Sequence, residues 1–339
     1  MIRDAIAEIV GGRSLTRAEA AAAMDEMMSG EATGAQFGAF LTALRMKGET
    51  VEELTGFAEV MRAKVTPVEV GLPIVDTCGT GGDASGTFNV STAAAFVVAA
   101  AGVPVAKHGN RAMSSHCGSA DVLEALGVKI DLPAEGVATC VREVGLGFMF
   151  APLFHPAMRH AVAPRREIGI RTVFNVLGPL TNPAGARSQV LGVPDPALPE
   201  KMAQVLGALG CRHALVVHGR DGVDEITIAG PTLVAEVTGG RVRTYEIRPG
   251  DVGLPESPLS AIQGGDAATN AGIIRGIFAG NRGPARDIVL LNAAAALVVG
   301  GAAAGLAEGV KLAGEVIDRG RALAKVDELA AVSQRLAGV

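Results

Sequence analysis

Through the first 65 residues the apolar positions recur at helical spacing. Phe37, Phe40, Leu41 and Leu44 follow the i, i+3, i+4, i+7 pattern of one buried helical face, and so do Leu54, Phe57, Ala58 and Met61. Each set stands behind a threonine that is followed three residues later by Glu or Gln. Thr33…Gln36 and Thr50…Glu53 have this spacing, and Thr16…Glu19 repeats it. That is the spacing of a capping box, in which two side chains satisfy free backbone N–H groups at a helix start. Gly30 and Gly48 stand where two of these helices should stop. The segment reads as a small all-helical unit.

After Val65-Thr66-Pro67 the pattern changes to short apolar runs alternating with helical stretches. Ile74–Thr77, Val103–Ala106, Phe148–Ala151, Gln189–Val193 and Ala214–His218 read as strands. Ser91–Ala101, Ala120–Leu126, Pro199–Leu209 and Ala267–Phe278 read as helices. Such alternation is the signature of a mostly parallel α/β sheet. Ile226–Ile247, rich in Thr and Val with Gly239-Gly240 at a turn, should add antiparallel strands. The expected fold is α/β: a small N-terminal all-helical domain over residues 1–70, and a larger α/β domain over 71–339 with a mostly parallel central sheet flanked by helices. Helices near residues 165–185 are candidates to complete the first domain.

Composition narrows the function classes. Of 339 residues 49% are apolar and 19% charged, enough to bury a large core. A net charge of −5 argues against a nucleic-acid binder, and 3% aromatics are too few for a base-stacking platform. Asp4 and Glu8 precede any long apolar run, so no secretory signal is expected. The uncharged run Ile288–Ala307 is long enough to span a bilayer, but it is mostly Ala and Gly with Asn292 inside it. A buried helix fits it better. Cys78, Cys117, Cys140 and Cys211 form no C-x-x-C, which suits small core thiols in a reduced cytoplasmic protein. The expectation is therefore neither nucleic-acid nor membrane partners.

The chemistry concentrates in a few loops. Asp76 to Thr92 carries a strand into a loop of four glycines and then into a helix start. Backbone N–H groups there, with the helix N-terminus, suit an anion. Gly79-x-Gly81-x-x-Ala84 fits the dinucleotide fingerprint, but Val103 to Lys107, about twenty residues on, lack the ribose-binding acid. Gly81 and Gly86 have P-loop spacing with Thr87 where lysine belongs, so both motifs are rejected. A tight turn without ligand stays the alternative.

Lys107 to Ser115 follows the next predicted strand, at the edge where open α/β sheets bind ligands. Lys107 and Arg111 can neutralise phosphate, and Ser115 and Ser119 can donate to its oxygens. Asp224-Glu225, flanked by apolar residues, reads either as a solvated turn or as Mg²⁺ ligands. Arg165, behind Pro164, reads equally as a two-pronged grip on a carboxylate or as a helix-end surface charge. His155 and His160 miss zinc spacing and read as helix caps or surface residues.

In order along the chain stand Gly79-Thr80-Gly81-Gly82-Asp83, Asn89-Val90-Ser91-Thr92, Lys107-His108-Gly109-Asn110-Arg111, Gly118-Ser119-Ala120-Asp121, Gly178-Pro179-Leu180-Thr181-Asn182-Pro183 and Asp224-Glu225. On these blocks the chain resembles the anthranilate phosphoribosyltransferases of tryptophan biosynthesis over essentially its whole length. The resemblance implies transfer of the phosphoribosyl group of 5-phosphoribosyl 1-pyrophosphate to the amine of anthranilate. It implies that Gly79, Gly82, Asp83, Thr87, Asn89, Val90, Ser91 and Thr92 bind phosphoribosyl pyrophosphate. To these it adds Lys107, His108, Gly109, Asn110, Arg111, Ala112, Met113, Ser114, Ser115 and Ser119. Gly79, Asn110 and Arg165 would contact anthranilate, and Ser91, Asp224 and Glu225 would hold two Mg²⁺ ions. Lys107, Asp224 and Glu225 would form the catalytic set, and the helical part would join a homodimer.

Two rivals remain at this stage. A pyrimidine nucleoside phosphorylase would need a site tuned to inorganic phosphate and no acidic metal pair, so Asp224-Glu225 speaks against it. A non-catalytic nucleic-acid-binding relative should have lost the glycine loop or the acidic pair and gained basic charge, and neither is seen.

Overall fold

A computed structural model describes residues 1–112 and 116–338. Four helices open the chain: α1 (Ile2–Val10), α2 (Arg17–Met28), α3 (Gly34–Lys47) and α4 (Val51–Ala63). All three capping boxes form. Thr16, Thr33 and Thr50 accept the N–H three residues on, while Glu19, Gln36 and Glu53 return a bond to the threonine N–H. The helix α3 stops at Gly48, and α2 stops at Ser29, one residue before Gly30.

The α/β part begins with β1 (Val75–Gly79), α5 (Val90–Ala100) and β2 (Val105–Gly109). Next come α6 (Ser119–Ala125), α7 (Ala134–Val144), β3 (Leu146–Phe150), α8 (Ala151–Phe154), α9 (Arg159–Ile168) and α10 (Phe174–Leu177). The sheet is completed by β4 (Ser188–Gly192), then α11 (Leu198–Ala208), β5 (His213–Gly219), β6 (Thr232–Thr238) and β7 (Arg241–Ile247). Helices α12 (Ala267–Phe278), α13 (Pro284–Val299), α14 (Leu306–Asp318) and α15 (Arg321–Ala337) close the chain.

The seven strands lie in the order β3-β2-β1-β4-β5-β6-β7. The first five are parallel, and β6 and β7 extend the sheet antiparallel, joined through Gly239-Gly240. Successive strand residues point to opposite faces. Thus Leu215 and Val217 enter one core, packed by α5, α13 and their neighbours, while Ala214 and Val216 enter the other. That second core is shared by α11, α1 to α4, and Ala161, Phe174, Leu177 and Leu180 of the α9–α10 region.

The uncharged run at Ile288 is buried helix only as far as Val299. Among the described residues no helix is long and apolar enough to cross a membrane. The four cysteines are free, three of them buried, and burial holds their thiols above the usual range.

From β1 the chain winds outward to β2 and β3, then returns to the other side of β1 as β4. The connections after β1 and β4 therefore part in opposite directions. This opens a crevice at the carboxyl ends of the two strands, the usual ligand position in open α/β sheets.

Candidate active site

The crevice is closed from above by the loop after β5. Gly79 and Gly192, the last residues of β1 and β4, are partners in register, and Thr80 N–H donates to the Gly192 carbonyl at 2.9 Å. Asp224 lies directly on both glycines. A Cβ at Gly192 would stand 1.5 Å from the Asp224 carbonyl oxygen, and one at Gly79 would stand 2.2 Å from its Oδ2. Only a hydrogen atom fits at either place, so these two glycines set how deep the acidic loop sits. The Asp224 carboxylate accepts the Gly81 N–H at 2.8 Å, and Glu225 Oε1 accepts the Ser91 N–H at 3.2 Å in the first turn of α5.

Lys107 approaches from β2. Its buried ammonium donates to the Thr77 carbonyl and, at 3.2 Å, to Ser91 Oγ. Burial pulls its pKa down, while Asp76, Cys78, Glu225 and Asp224 pull it back up. The carboxyls respond in the opposite sense. Burial and the nearby Asp83 push Asp224 up to about 7. Burial and Asp224 push Glu225 up to about 8, against the attraction of Lys107. Two half-buried carboxyls opposed by one ammonium are a site that a divalent cation would relieve. Among the described residues no three His, Cys, Asp or Glu side chains form a ready-made cage. The pair therefore suits Mg²⁺, which keeps several water or ligand oxygens and needs few carboxylates.

The other expected residues fall around this centre. Asp83 accepts Ser85 Oγ at 2.5 Å, and Thr87 Oγ1 lies 3.2 Å from the same hydroxyl. Asn89, just before α5, donates to the Cys117 carbonyl at 3.0 Å and receives Asn270 Nδ2 at 2.9 Å. Thr92 is buried with its Oγ1 unpartnered. Ser119 donates to the Asn110 carbonyl at 3.3 Å, next to Gly109 at the end of β2. Arg111 does not offer a free cation: it pairs with Asp121 and Glu124, and Ala112 N–H also binds Asp121. Met113, Ser114 and Ser115 lie outside the described residues.

Arg165, on α9, stands apart from the glycine loop. Its guanidinium lies over the Phe174 ring, 5.3 Å from the centroid, and among the described residues it has no acidic partner. On the same stretch Arg171, which sequence reasoning passed over, donates to the carbonyls of Gly82 at 3.0 Å and Gly81 at 3.2 Å. It thus ties the arginine segment to the glycine loop.

Two buried polar residues within the motifs above carry no role in the sequence reading. Asp76 receives Asn182 Nδ2 at 2.7 Å and the His108 N–H at 3.3 Å, and Asn182 also donates to the Ala106 carbonyl at 2.9 Å. A carboxylate inside the apolar run Ile74-Val75-Asp76 was the available signal.

His155 does stand at a helix cap, at the C-terminal end of α8, but its side chain makes no capping bond and is buried rather than at the surface. It is buried with its Nε2 3.1 Å from His108 Nε2. His160 does lie at the surface, near Arg159. Burial lowers His108 to about 3 and His155 to about 4, so one neutral ring donates to the other. Between those values and about pH 6.5 the unfolded chain binds a proton on each ring and the native chain binds none. Stability should therefore fall as pH drops through this window. His155→Gln should reduce that slope by one proton, about 1.4 kcal/mol per pH unit, in urea unfolding midpoints between pH 6.5 and 4.5. An unaltered slope would contradict the neutral pair.

Comparison with known proteins follows this geometry. Residues 3–65 match the sequence family described as "Glycosyl transferase family, helical bundle domain", and residues 71–323 match "Glycosyl transferase family, a/b domain". The chain is 62% identical over 335 residues to the anthranilate phosphoribosyltransferase of Chloroflexus aurantiacus, covering 98% of this chain and 99% of that protein. The crystal structure of the Thermus thermophilus anthranilate phosphoribosyltransferase superposes with a TM-score of 0.92 at 44% identity, covering 98% of this chain and 99% of that one. The Saccharomyces cerevisiae enzyme in complex with PRPP and Mg superposes with a TM-score of 0.89 at 28% identity, covering 98% of both chains.

Proposed function

The chain belongs to the anthranilate phosphoribosyltransferases, within the glycosyl transferases built from a helical bundle and an α/β domain, and from that premise we propose how its residues carry the reaction. The enzyme transfers the phosphoribosyl group of phosphoribosyl pyrophosphate to the amine of anthranilate, giving N-(5-phosphoribosyl)anthranilate and pyrophosphate, a step of tryptophan biosynthesis. The observation that carries the reading is the meeting of the glycine loop, Lys107 and Asp224-Glu225 at one sheet crevice. The acidic pair also disfavours a nucleoside phosphorylase.

In this reading the N–H groups of the Gly79–Asp83 loop and the first turn of α5 receive phosphate oxygens, with Thr87, Asn89, Thr92 and Ser119 around them. Ser91, Asp224 and Glu225 would hold Mg²⁺, two ions here, whose chemistry is to neutralise charge on the pyrophosphate oxygens. Breaking the bond between the anomeric carbon and pyrophosphate leaves positive character on the ribose and negative charge on the leaving group. Lys107 stabilises that growing charge from a fixed, dry position. The anthranilate nitrogen is neutral at pH 7, and its lone pair forms the new C–N bond before losing a proton. Holding it against the anomeric carbon suffices without a strong base. Gly79 and Asn110 would line its ring.

Arg165 is assigned the anthranilate carboxylate because it is a planar fork without an acidic partner among the described residues, outside the phosphate region. Losing a charge-assisted bidentate pair costs about 1.5–3 kcal/mol. Arg165→Ala should raise the anthranilate KM about 10–150-fold and move the phosphoribosyl pyrophosphate KM much less. Arg165→Lys should recover only part of the loss. Equal weakening of both substrates would sink the two-pocket assignment. Thymidine with inorganic phosphate should give no turnover.

We assign the enzyme to the cytoplasm and to a homodimer, with residues 1–70 and the α9–α10 segment forming the dimerisation domain. Met1, Val10 and Met46, on α1 and α3 or at their ends, are 70%, 71% and 84% exposed, and these apolar side chains support a partner on the helical unit. Light scattering should give roughly twice the 34.3 kDa of one chain. A mass near that of one chain at every concentration would contradict the dimer.

A further inference from the structure

The helix α13 is apolar from Ile288 to Val299 except at one place, Asn292, which is 2% exposed. An amide in such surroundings is costly unless every bond is made. Asn292 makes them. Its Oδ1 accepts the Ile226 N–H at 3.0 Å, and its Nδ2 donates to the Ile226 carbonyl at 2.9 Å and to the Ile288 carbonyl at 2.9 Å. One side chain thus pairs both backbone groups of a single residue, as a neighbouring strand would. That residue directly follows Glu225.

The rest of this loop is tied mainly to itself. Gly219 N–H donates to the Val223 carbonyl at 3.0 Å, Thr227 Oγ1 to Asp221 at 2.5 Å, and Thr227 N–H to Thr232 Oγ1 at 3.0 Å. Its ties to the glycine loop and to α5 run through the carboxylates of Asp224 and Glu225, the same groups that would take up a cation. Asn292 therefore anchors the loop without using the groups that do the binding.

We propose that Asn292 is a positioning residue: by clamping Ile226 to α13 it fixes where the Asp224 and Glu225 carboxylates stand. This rests on the reading of that pair as the metal site. The clamp accounts for a polar side chain in an otherwise apolar helix, and it holds the pair aimed at the crevice through backbone bonds that leave both carboxylates available.

The test uses Mn²⁺ with inorganic pyrophosphate, titrated into the full chain and followed by electron paramagnetic resonance of free Mn²⁺. Asn292→Leu removes all three bonds at similar volume, and Asn292→Ser leaves room for a water molecule. Both should bind Mn²⁺–pyrophosphate at least tenfold more weakly, with kcat reduced and the anthranilate KM within twofold of the unaltered enzyme. Wild-type Mn²⁺ affinity in either folded variant would overturn the clamp. In the unaltered protein, the Ile226 amide should exchange with deuterium as slowly as the central strands, and fast exchange would overturn the proposal even if neither variant folds. If the unaltered protein takes up no Mn²⁺ with pyrophosphate, the reading of the acidic pair fails first and the proposal falls with it.

Discussion

The double replacement of Asp224 by Asn and Glu225 by Gln lowers turnover by two orders of magnitude or more. Asn and Gln keep the acceptor oxygens that receive the Gly81 and Ser91 N–H groups, so the loop keeps its seat on Gly79 and Gly192. What disappears is the negative charge that draws a divalent cation into the crevice. Charge stabilisation by a bound metal is worth several kcal/mol in a transition state, and about 1.4 kcal/mol is a factor of ten in rate. Removing two half-buried carboxyls whose ionisation is opposed by desolvation leaves Asp76 still facing Lys107, so the chain should stay folded. The expected variant is therefore folded and nearly inactive at limiting Mg²⁺. Turnover within a few-fold of the original under those conditions would remove the metal assignment.

Replacing Lys107 by Met should be almost as severe, for a different reason. Methionine fills the same path, but the ammonium between Asp76, Asp224 and Glu225 is lost, and with it the bonds to Thr77 and Ser91. A preorganised donor aimed at developing charge is typically worth about 10²–10³ in turnover. The KM for phosphoribosyl pyrophosphate should rise as well, while that for anthranilate stays near its original value. Breaking a buried charge set costs about 3–5 kcal/mol of stability, so the kinetics belong at low temperature with the folded fraction checked by circular dichroism. A fall in turnover no larger than the fall in folded fraction would make Lys107 structural only.

The parts of this molecule written in local spacing were legible from the sequence. Thr16, Thr33 and Thr50 announce three helix starts because a capping box needs only residues three apart. The helix Ala267–Phe278 was readable to the residue. The strand β2 runs to Gly109, past the expected end at Ala106, because Lys107 and His108 are polar residues buried inside it and the apolar pattern stops too soon. The helix α9 buries only Ala161 among its side chains, so it shows no apolar stripe that would tie it to the first four helices.

The site divides the same way. The glycine loop, Lys107 and Asp224-Glu225 stand out as unusual residues in short runs. The contacts that hold them do not. Asp76 with Asn182, His108 with His155, Gly192 under Asp224 and Asn292 with Ile226 are pairings between distant segments. They exist only once the strand order and the helices packed on the sheet bring these segments together. Arg111 shows the converse, a cation that looks available in the sequence and is neutralised by Asp121 and Glu124 in the fold.

The most direct measurement is the loss of anthranilate fluorescence when the enzyme is mixed with anthranilate, phosphoribosyl pyrophosphate and Mg²⁺, with released pyrophosphate counted in the same sample. The reading predicts one pyrophosphate for each anthranilate consumed, no loss when either phosphoribosyl pyrophosphate or Mg²⁺ is withheld, and none with the Asp224→Asn, Glu225→Gln variant. Unchanged fluorescence in the complete mixture, or pyrophosphate released without anthranilate consumed, would contradict it.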